Sequence, residues 1–209
     1  MRAVILSFAC GCTALFAAEV VVRDLRLGAG LRSTGFDYTI QGATVDTSGS
    51  DAFDSGGAFE IGGRWSFANP GSALGLVVGL DAILEAMPYG DGGLGTTWLR
   101  AAGGGGWAVS DRLTLVTDIG LLAGASAFDN GEDQHQGASS QTGSAFAYDL
   151  RVEATWLVTR RIGVGLHLGW QRAKHSLSDD NIDSAIQRSG WIAGVQMAWR
   201  FSRAPARLE

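Results

Sequence analysis

The sequence predicts an all-β protein, an eight-stranded antiparallel up-and-down transmembrane β-barrel. Three observations lead there. Eight stretches of the 209-residue chain alternate with a period of two between apolar residues and small or charged ones, which is the side-chain period of a strand. Charged residues and most strand glycines keep to one parity, while the other parity is aliphatic. Aromatic residues gather towards both ends of that aliphatic parity, where amphipathic rings settle at a membrane–water interface.

The strands follow in order. The first, 23–33, sets Leu25, Leu27, Ala29 and Leu31 against Arg26, Gly28, Gly30 and Arg32. The second, 57–67, opposes Phe59, Ile61, Trp65 and Phe67 to Glu60, Gly62 and Arg64; the third, 73–85, opposes Leu74, Leu76, Val78 and Leu80 to Gly75, Gly79, Asp81 and Glu85. In the fourth, 96–108, Leu99, Ala101 and Trp107 face away from Arg100, Gly104 and Gly106, and in the fifth, 113–127, Leu113, Leu115, Ile119 and Leu121 face away from Thr114, Asp118, Gly120 and Gly124. The sixth, 145–158, puts Phe146, Tyr148, Leu150, Val152 and Trp156 opposite Asp149, Arg151 and Glu153. The seventh, 162–173, puts Ile162, Val164, Leu166, Leu168 and Trp170 opposite Gly163, Gly165, His167, Gly169 and Gln171. The eighth, 190–201, sets Trp191, Val195, Met197, Trp199 and Phe201 against Gly194, Gln196 and Arg200.

Longer connections (the polar segment 34–56, the medium loop 86–95, then 128–144 and 174–189) alternate with short ones (68–72, 109–112 and 159–161). They therefore lie at opposite ends of a meander. Strands of ~11 residues suit a tilted crossing of a ~30 Å hydrocarbon core. Met1-Arg2, the apolar run Ala3 to Phe16, and Ala17-Ala18 before Glu19 have the layout of a secretory signal peptide. The expected division is a signal peptide over 1–18, a barrel over 19–201 and a short polar tail over 202–209. A first transmembrane helix is the rival reading, and Cys10, Gly11, Cys12 and Thr13 weaken it. Both cysteines lie in this segment, so the processed chain is expected to carry no disulfide or thiol chemistry.

Composition narrows the function classes. With 16 basic and 21 acidic side chains, net −5, the chain has no bulk charge for a polyanion, and no nucleic-acid partner is expected. Glycine, 31 of 209 residues, is about twice the usual ~7%, yet without collagen's period. No apolar run beyond the N-terminus reaches the ~18 residues that a membrane helix needs.

Alternation alone leaves a soluble barrel such as a lipocalin open. The charges separate the two. Arg26, Arg32, Arg64, Arg100, Arg151 and Arg200 share a parity with Glu60, Asp81, Glu85, Asp118, Asp149 and Glu153, six against six. A closed lumen must pair its charges or bear the cost of burying them alone. Glycine follows the same parity, as a narrow eight-stranded interior requires if long side chains are to fit. Two aromatic girdles are expected outside: Trp65, Phe67, Trp107, Trp156, Trp199 and Phe201 near the short turns, and Phe59, Phe146, Tyr148, Trp170 and Trp191 near the long loops.

On these features the chain resembles the small eight-stranded outer-membrane β-barrels, the family of the OmpA transmembrane domain and OmpX. The resemblance covers 20–201 and includes a last strand, Gly190 to Phe201, that ends in an aromatic as the family's assembly signal does. Here the tail Ser202 to Glu209 follows that residue, so the signal would be internal. The resemblance implies a Gram-negative cell envelope, both termini periplasmic, and a monomer in contact with outer-membrane lipid, lipopolysaccharide and the assembly machinery. It also implies a structural or surface-interaction role; a small-solute channel or hydrophobic-ligand carrier is the alternative, and a lipid A-modifying enzyme the third.

Candidate sites are few, and no cofactor is expected. The lumen charges, with His167 among them, form either a salt-bridged plug or the lining of a pore, and the narrow bore favours a plug. His175-Ser176 with Ser178 and Asp179 invites a nucleophile–base reading, but adjacent residues of a strand point to opposite faces. Asp37, Asp46, Asp51, Asp54, Asp91, Asp129, Glu132, Asp133, Asp179, Asp180 and Asp183 make the long loops acidic, so divalent cations bridging to lipopolysaccharide are a possible partner. Asp179-x-Asn181-x-Asp183 begins like a calcium loop, but Ser184 and Gly190 stand where glycine and a bidentate glutamate belong. No dedicated metal site is expected.

Overall fold

The computed structural model describes residues 19–42, 46–69, 72–129, 140–179 and 182–201. The segments read as signal peptide and polar tail lie outside the described residues, as do Glu132, Asp133, His135, Asp180 and Asn181. The described chain is all antiparallel sheet: β1 (Glu19–Gly42), β2 (Asp46–Ala52), β3 (Gly56–Ala68), β4 (Leu74–Tyr89), β5 (Gly92–Ala108), β6 (Leu113–Asp129), β7 (Ser140–Leu157), β8 (Ile162–Ser178) and β9 (Ile182–Arg200). β1 pairs with both β2 and β3, from β3 to β9 neighbours in sequence pair in order, and β9 returns to β1 from Asp24↔Arg200 to Gly42↔Ile182, closing the ring. Closure leaves no unpaired strand edge in the lipid, where an unmade backbone hydrogen bond is costly.

The ring has eight positions because β2 and β3 share one. β2 pairs with the far half of β1 (Gly35↔Ala52) and β3 with its near half (Arg32↔Gly56). Between those pairs, Ser33 and Thr34 face Phe53, Asp54 and Ser55, so one residue is extra and the strand bulges. The bulge changes which parity faces inward and turns Phe53 into the bore, where it is buried. Its backbone N–H donates to Thr34 O (3.2 Å), and that of Asp54 donates to Pro88 O (3.1 Å).

Three connections expected as long loops are mostly sheet. The described part of the 34–56 segment is the end of β1, the whole of β2 and the bulge. The 86–95 segment is a two-residue turn, since Tyr89 pairs with Gly92; Gly90, at φ +54°, sits where a type II′ hairpin turn needs a positive φ. The 174–189 segment is strand on both sides of a short turn at Asp179, whose carboxylate accepts from Ile182 N (2.8 Å). The hydrophobic pattern there is inverted, which conceals the strand. Within the belt, apolar residues point out. Beyond Ser33, in the run Phe36-Asp37-Tyr38-Thr39-Ile40-Gln41, the apolar residues point in and the polar ones out. Strands of 16 to 19 residues from β4 to β9 exceed the ~9–11 that span a bilayer. The excess projects into water and folds as a soluble barrel does.

The bore is accordingly layered. Charged residues fill its middle. An apolar layer of Ile83, Trp98, Leu122, Ala145, Ala147 and Ala173 comes next. At the long-hairpin end Phe36, Phe53, Met87, Leu94, Leu177 and Ile186 form a second cluster, joined by Tyr38, Tyr89 and Phe128. Phe36 and Phe53 stack at 4.2 Å between centroids, with Tyr89 edge-on to both.

Candidate functional site: an ion-paired bore

Twelve ion pairs link twelve buried side chains inside the barrel. Every carboxylate bridges two arginines. Asp81 joins Arg26 (2.7 Å) to Arg100 (3.2 Å), and Glu153 joins Arg26 (2.9 Å) to Arg64 (2.5 Å). Asp118 joins Arg64 (3.1 Å) to Arg100, which closes a six-membered ring of alternating charge. From Arg100 a chain runs on through Asp149, Arg151, Glu60, Arg32 and Glu85 to Arg188. Several links cross the bore: Arg64 on β3 and Arg26 on β1 both reach Glu153 on β7, and Arg151 on β7 reaches Glu60 on β3.

Strand geometry explains why these residues meet. Each stands on the inward parity, and glycines opposite them clear the space. A Cβ at Gly120 would run into the Arg100 guanidinium and the Asp149 carboxylate, and one at Gly62 into the Asp81 carboxylate. Burying a lone ion costs several kcal/mol, so the six acids and six arginines hold together only as a balanced set. Arg100 is the hub. It is 0% exposed and donates to Asp149 through Nε (2.9 Å) and NH2 (2.7 Å), to Asp81 through NH1 and to Asp118 through NH2.

Of the thirteen residues read from the sequence as lumen charges, eleven belong to this network. Arg200 does not: it lies at the short-turn end, where its Nε donates to Asp24 (3.1 Å), a separate pair apart from the twelve linked side chains. The sixth arginine is Arg188, which sequence reasoning passed over because it fell within a presumed loop. His167 is buried in the bore, and its Nε2 makes no hydrogen bond among the described residues.

His175, singled out in the sequence beside Ser176, is buried inside the bore. Its Nδ1 lies 2.8 Å from Ser126 Oγ, which is 3.1 Å from Thr96 Oγ1, and its Nε2 accepts from Arg188 Nε at 3.0 Å. Arginine has only donors, so Nε2 must offer its lone pair and Nδ1 must carry the proton. The ring therefore donates to Ser126. It holds no lone pair for the serine proton, which is the reverse of a nucleophile–base arrangement. Ser176 points to the opposite, exposed face.

The outer wall carries the aliphatic residues. Ile119, Leu121, Leu150, Leu166, Leu168 and Val195 are all more than two-fifths exposed, a continuous apolar surface that water does not tolerate and lipid covers. The short-turn aromatics Trp65, Phe67, Trp107, Trp156, Trp199 and Phe201 all lie on this outward parity. The long-hairpin set, Phe59, Phe146, Tyr148, Trp170 and Trp191, lies on β3 and β7 to β9, with Tyr148 and Trp170 5.9 Å apart. On β4 to β6 the same height is occupied by Leu84, Ala86, Ala123 and Ala125. Among the described residues no group of three His, Cys, Asp or Glu is placed to hold a metal ion.

No family model and no curated relative matches this sequence. Solved structures do. The outer membrane protein OprG from Pseudomonas aeruginosa is similar at a TM-score of 0.50 and 13% identity, over 88% of this chain and 97% of that one. The outer membrane protease OmpT from Escherichia coli gives 0.48 and 10%, over 88% and 98%. Neisserial surface protein A gives 0.44 and 12%, over 82% and 95%. At such identities the likeness is one of fold. Closed ring, lipid-facing belt and structural likeness agree, and the chain is by fold a small eight-stranded outer-membrane β-barrel.

Proposed function

We infer that this protein is a non-conducting barrel that serves the outer membrane as a structural or surface-interaction element, through its outer wall and projecting hairpins. One observation carries the reading. The six-membered ring of Arg26, Asp81, Arg100, Asp118, Arg64 and Glu153 spans the bore with no carboxylate left to a single partner. Beyond it the Phe36–Phe53 cluster covers the long-hairpin end. Passage of a solute, or carriage of a hydrophobic ligand along the bore, would require both layers to part.

Planar-bilayer recording of the purified barrel tests this. The expected trace shows no steady unit conductance, and stable open channels would refute it. A lipid-modifying activity lacks support in the Ser126–His175 pair of the bore, because Ser126 receives the proton of His175. Mass spectrometry of lipid A from cells expressing the protein is expected to show unchanged acylation, and a lost or added acyl chain would overturn the non-enzymatic reading.

A further inference from the structure

The cations outside the bore are unevenly placed. Among the described residues, Arg23, Arg112, Arg160, Arg161 and Arg200 lie at the short-turn end. Only two cations face outward in the other half, Arg172 and Lys174, both exposed on β8. They occupy alternate positions of one strand, hence the same face, about 7 Å apart. Neither has an ion pair or hydrogen bond among the described residues, although carboxylates are plentiful at that end. Their cross-strand neighbours are uncharged: Tyr148 and Ser189 flank Arg172, and Phe146 and Gln187 flank Lys174.

Their height gives the pair its meaning. Trp170 and Trp191, paired across β8 and β9, stand one step below Arg172 on the same face, with Leu168, Leu166 and Val195 beneath them. Directly above is a concavity of about 290 Å³ in the outer wall, lined by Lys174 with Ser176, Ser178, Thr39 and Gln41 and, at its far end, by Asp183. From the membrane outward, this wall thus offers aliphatic side chains, indole rings, two unpaired cations and then a groove of hydroxyls and an amide. Asp183 pairs with Ser178 at the far end, about 13 Å above Lys174, and limits anion binding to the lower part.

We propose that Arg172, Lys174 and the groove above them form a binding site for the phosphorylated sugar headgroup of a glycolipid in the surrounding leaflet. The acyl chains lie on the aliphatic wall, the phosphates meet the two cations at the level where headgroups sit, and the sugar hydroxyls enter the groove. Direct contact with the cations replaces the divalent bridging that an acidic surface would otherwise need.

Native mass spectrometry of the intact barrel in detergent, titrated with bis-phosphorylated lipid A, with the same lipid after phosphatase treatment, or with inorganic phosphate, tests the site. Wild type is expected to retain the phosphorylated lipid in preference to the dephosphorylated one. A juxtamembrane cation contributes about fivefold to the binding of an anionic lipid, so R172Q/K174Q should lose roughly twenty-five-fold. R172K should keep the charge and most of the binding, and R112Q, at the opposite end, should bind as wild type. A heat-modifiable gel shift identical to wild type shows that each variant is folded. Equal retention of both lipids, or unchanged binding by the double variant, would overturn the proposal. So would binding abolished by a chelator, which would make metal bridging responsible, or displacement by millimolar inorganic phosphate, which would make the site one for the free anion.

Discussion

Replacing Arg100 by methionine probes the bore at its hub. Methionine keeps the aliphatic stem but lacks the end of the guanidinium, so a small void accompanies a perturbation that is chiefly electrostatic. Asp149 loses three contacts, at 2.7, 2.9 and 3.1 Å, while Asp81 and Asp118 lose one each. Each carboxylate keeps one arginine: Arg151, Arg26 and Arg64 respectively. The network passes from six against six to five arginines against six acids, all of them buried. Breaking a buried pair on one side costs about 3–5 kcal/mol, and the surviving partners place this case near the lower figure. With a urea slope of ~1–3 kcal/mol/M, the unfolding midpoint should fall by at least ~1 M. Tryptophan fluorescence and the heat-modifiable gel shift, followed through a urea titration in lipid vesicles, measure it. Removing the orphaned charge as well, in R100M/D149N, restores neutrality and should recover at least ~1 kcal/mol. A single variant with the midpoint of wild type, or a double variant as unstable as the two singles summed, would refute the balanced-network argument.

Further outcomes follow from other layers. Phe53→Ala removes one ring of the stacked pair and should cost about 3 kcal/mol; hydrogen exchange should quicken in β2 and the far half of β1, with the bilayer trace still silent because the ionic ring is intact. Gly120→Val drives a side chain into Arg100 and Asp149 and should destabilise by about 1–3 kcal/mol or more, whereas Gly103→Ala, whose Cβ meets nothing within 4 Å, should leave the urea midpoint unchanged. At the projecting end, Tyr89 Oη donates to Asp51 Oδ2 (2.8 Å) and the Ala52 N–H to Asp51 Oδ1 (2.8 Å), which together hold the Asp51 carboxyl below its ordinary value of 3.8. A depressed carboxylate adds stability that is complete above its unfolded value and is lost as pH falls through its folded one. The tie between β2 and β4 should therefore loosen only in strong acid. Tyr89→Phe should move the Asp51 titration, read by carboxyl NMR, back up towards 3.8, and an unmoved titration would show that the phenol is not its partner.

Much of this was legible in the residues. In the lipid zone the strand period coincides with a sharp contrast between aliphatic and charged side chains, so Leu25, Arg26, Leu27 or Leu150, Arg151, Val152 declare both strand and facing. The contrast fades where the barrel leaves the membrane. There Tyr38 and Ile186 point inward against Asp37 and Gln187 outward, the opposite sign, and the composition reads as polar loop. Arg188, the partners of His175 and the Phe36–Phe53 cluster were hidden for that reason. Arg200 erred in the other direction: its parity is that of the lumen, but parity says nothing of height along the bore.

Local sequence determined that this chain is eight strand positions with an apolar outside and a charged inside, because period and polarity are properties of neighbouring residues. Which acid meets which arginine was decided only by closure of the ring. Arg26 and Glu153 are separated by 127 positions, and their contact depends on register, bulge and curvature summed over seven strands. The same closure placed Arg172 and Lys174 above a patch of tryptophans on one wall. That height relative to the membrane is a tertiary quantity, and it turns two ordinary surface cations into a candidate lipid site.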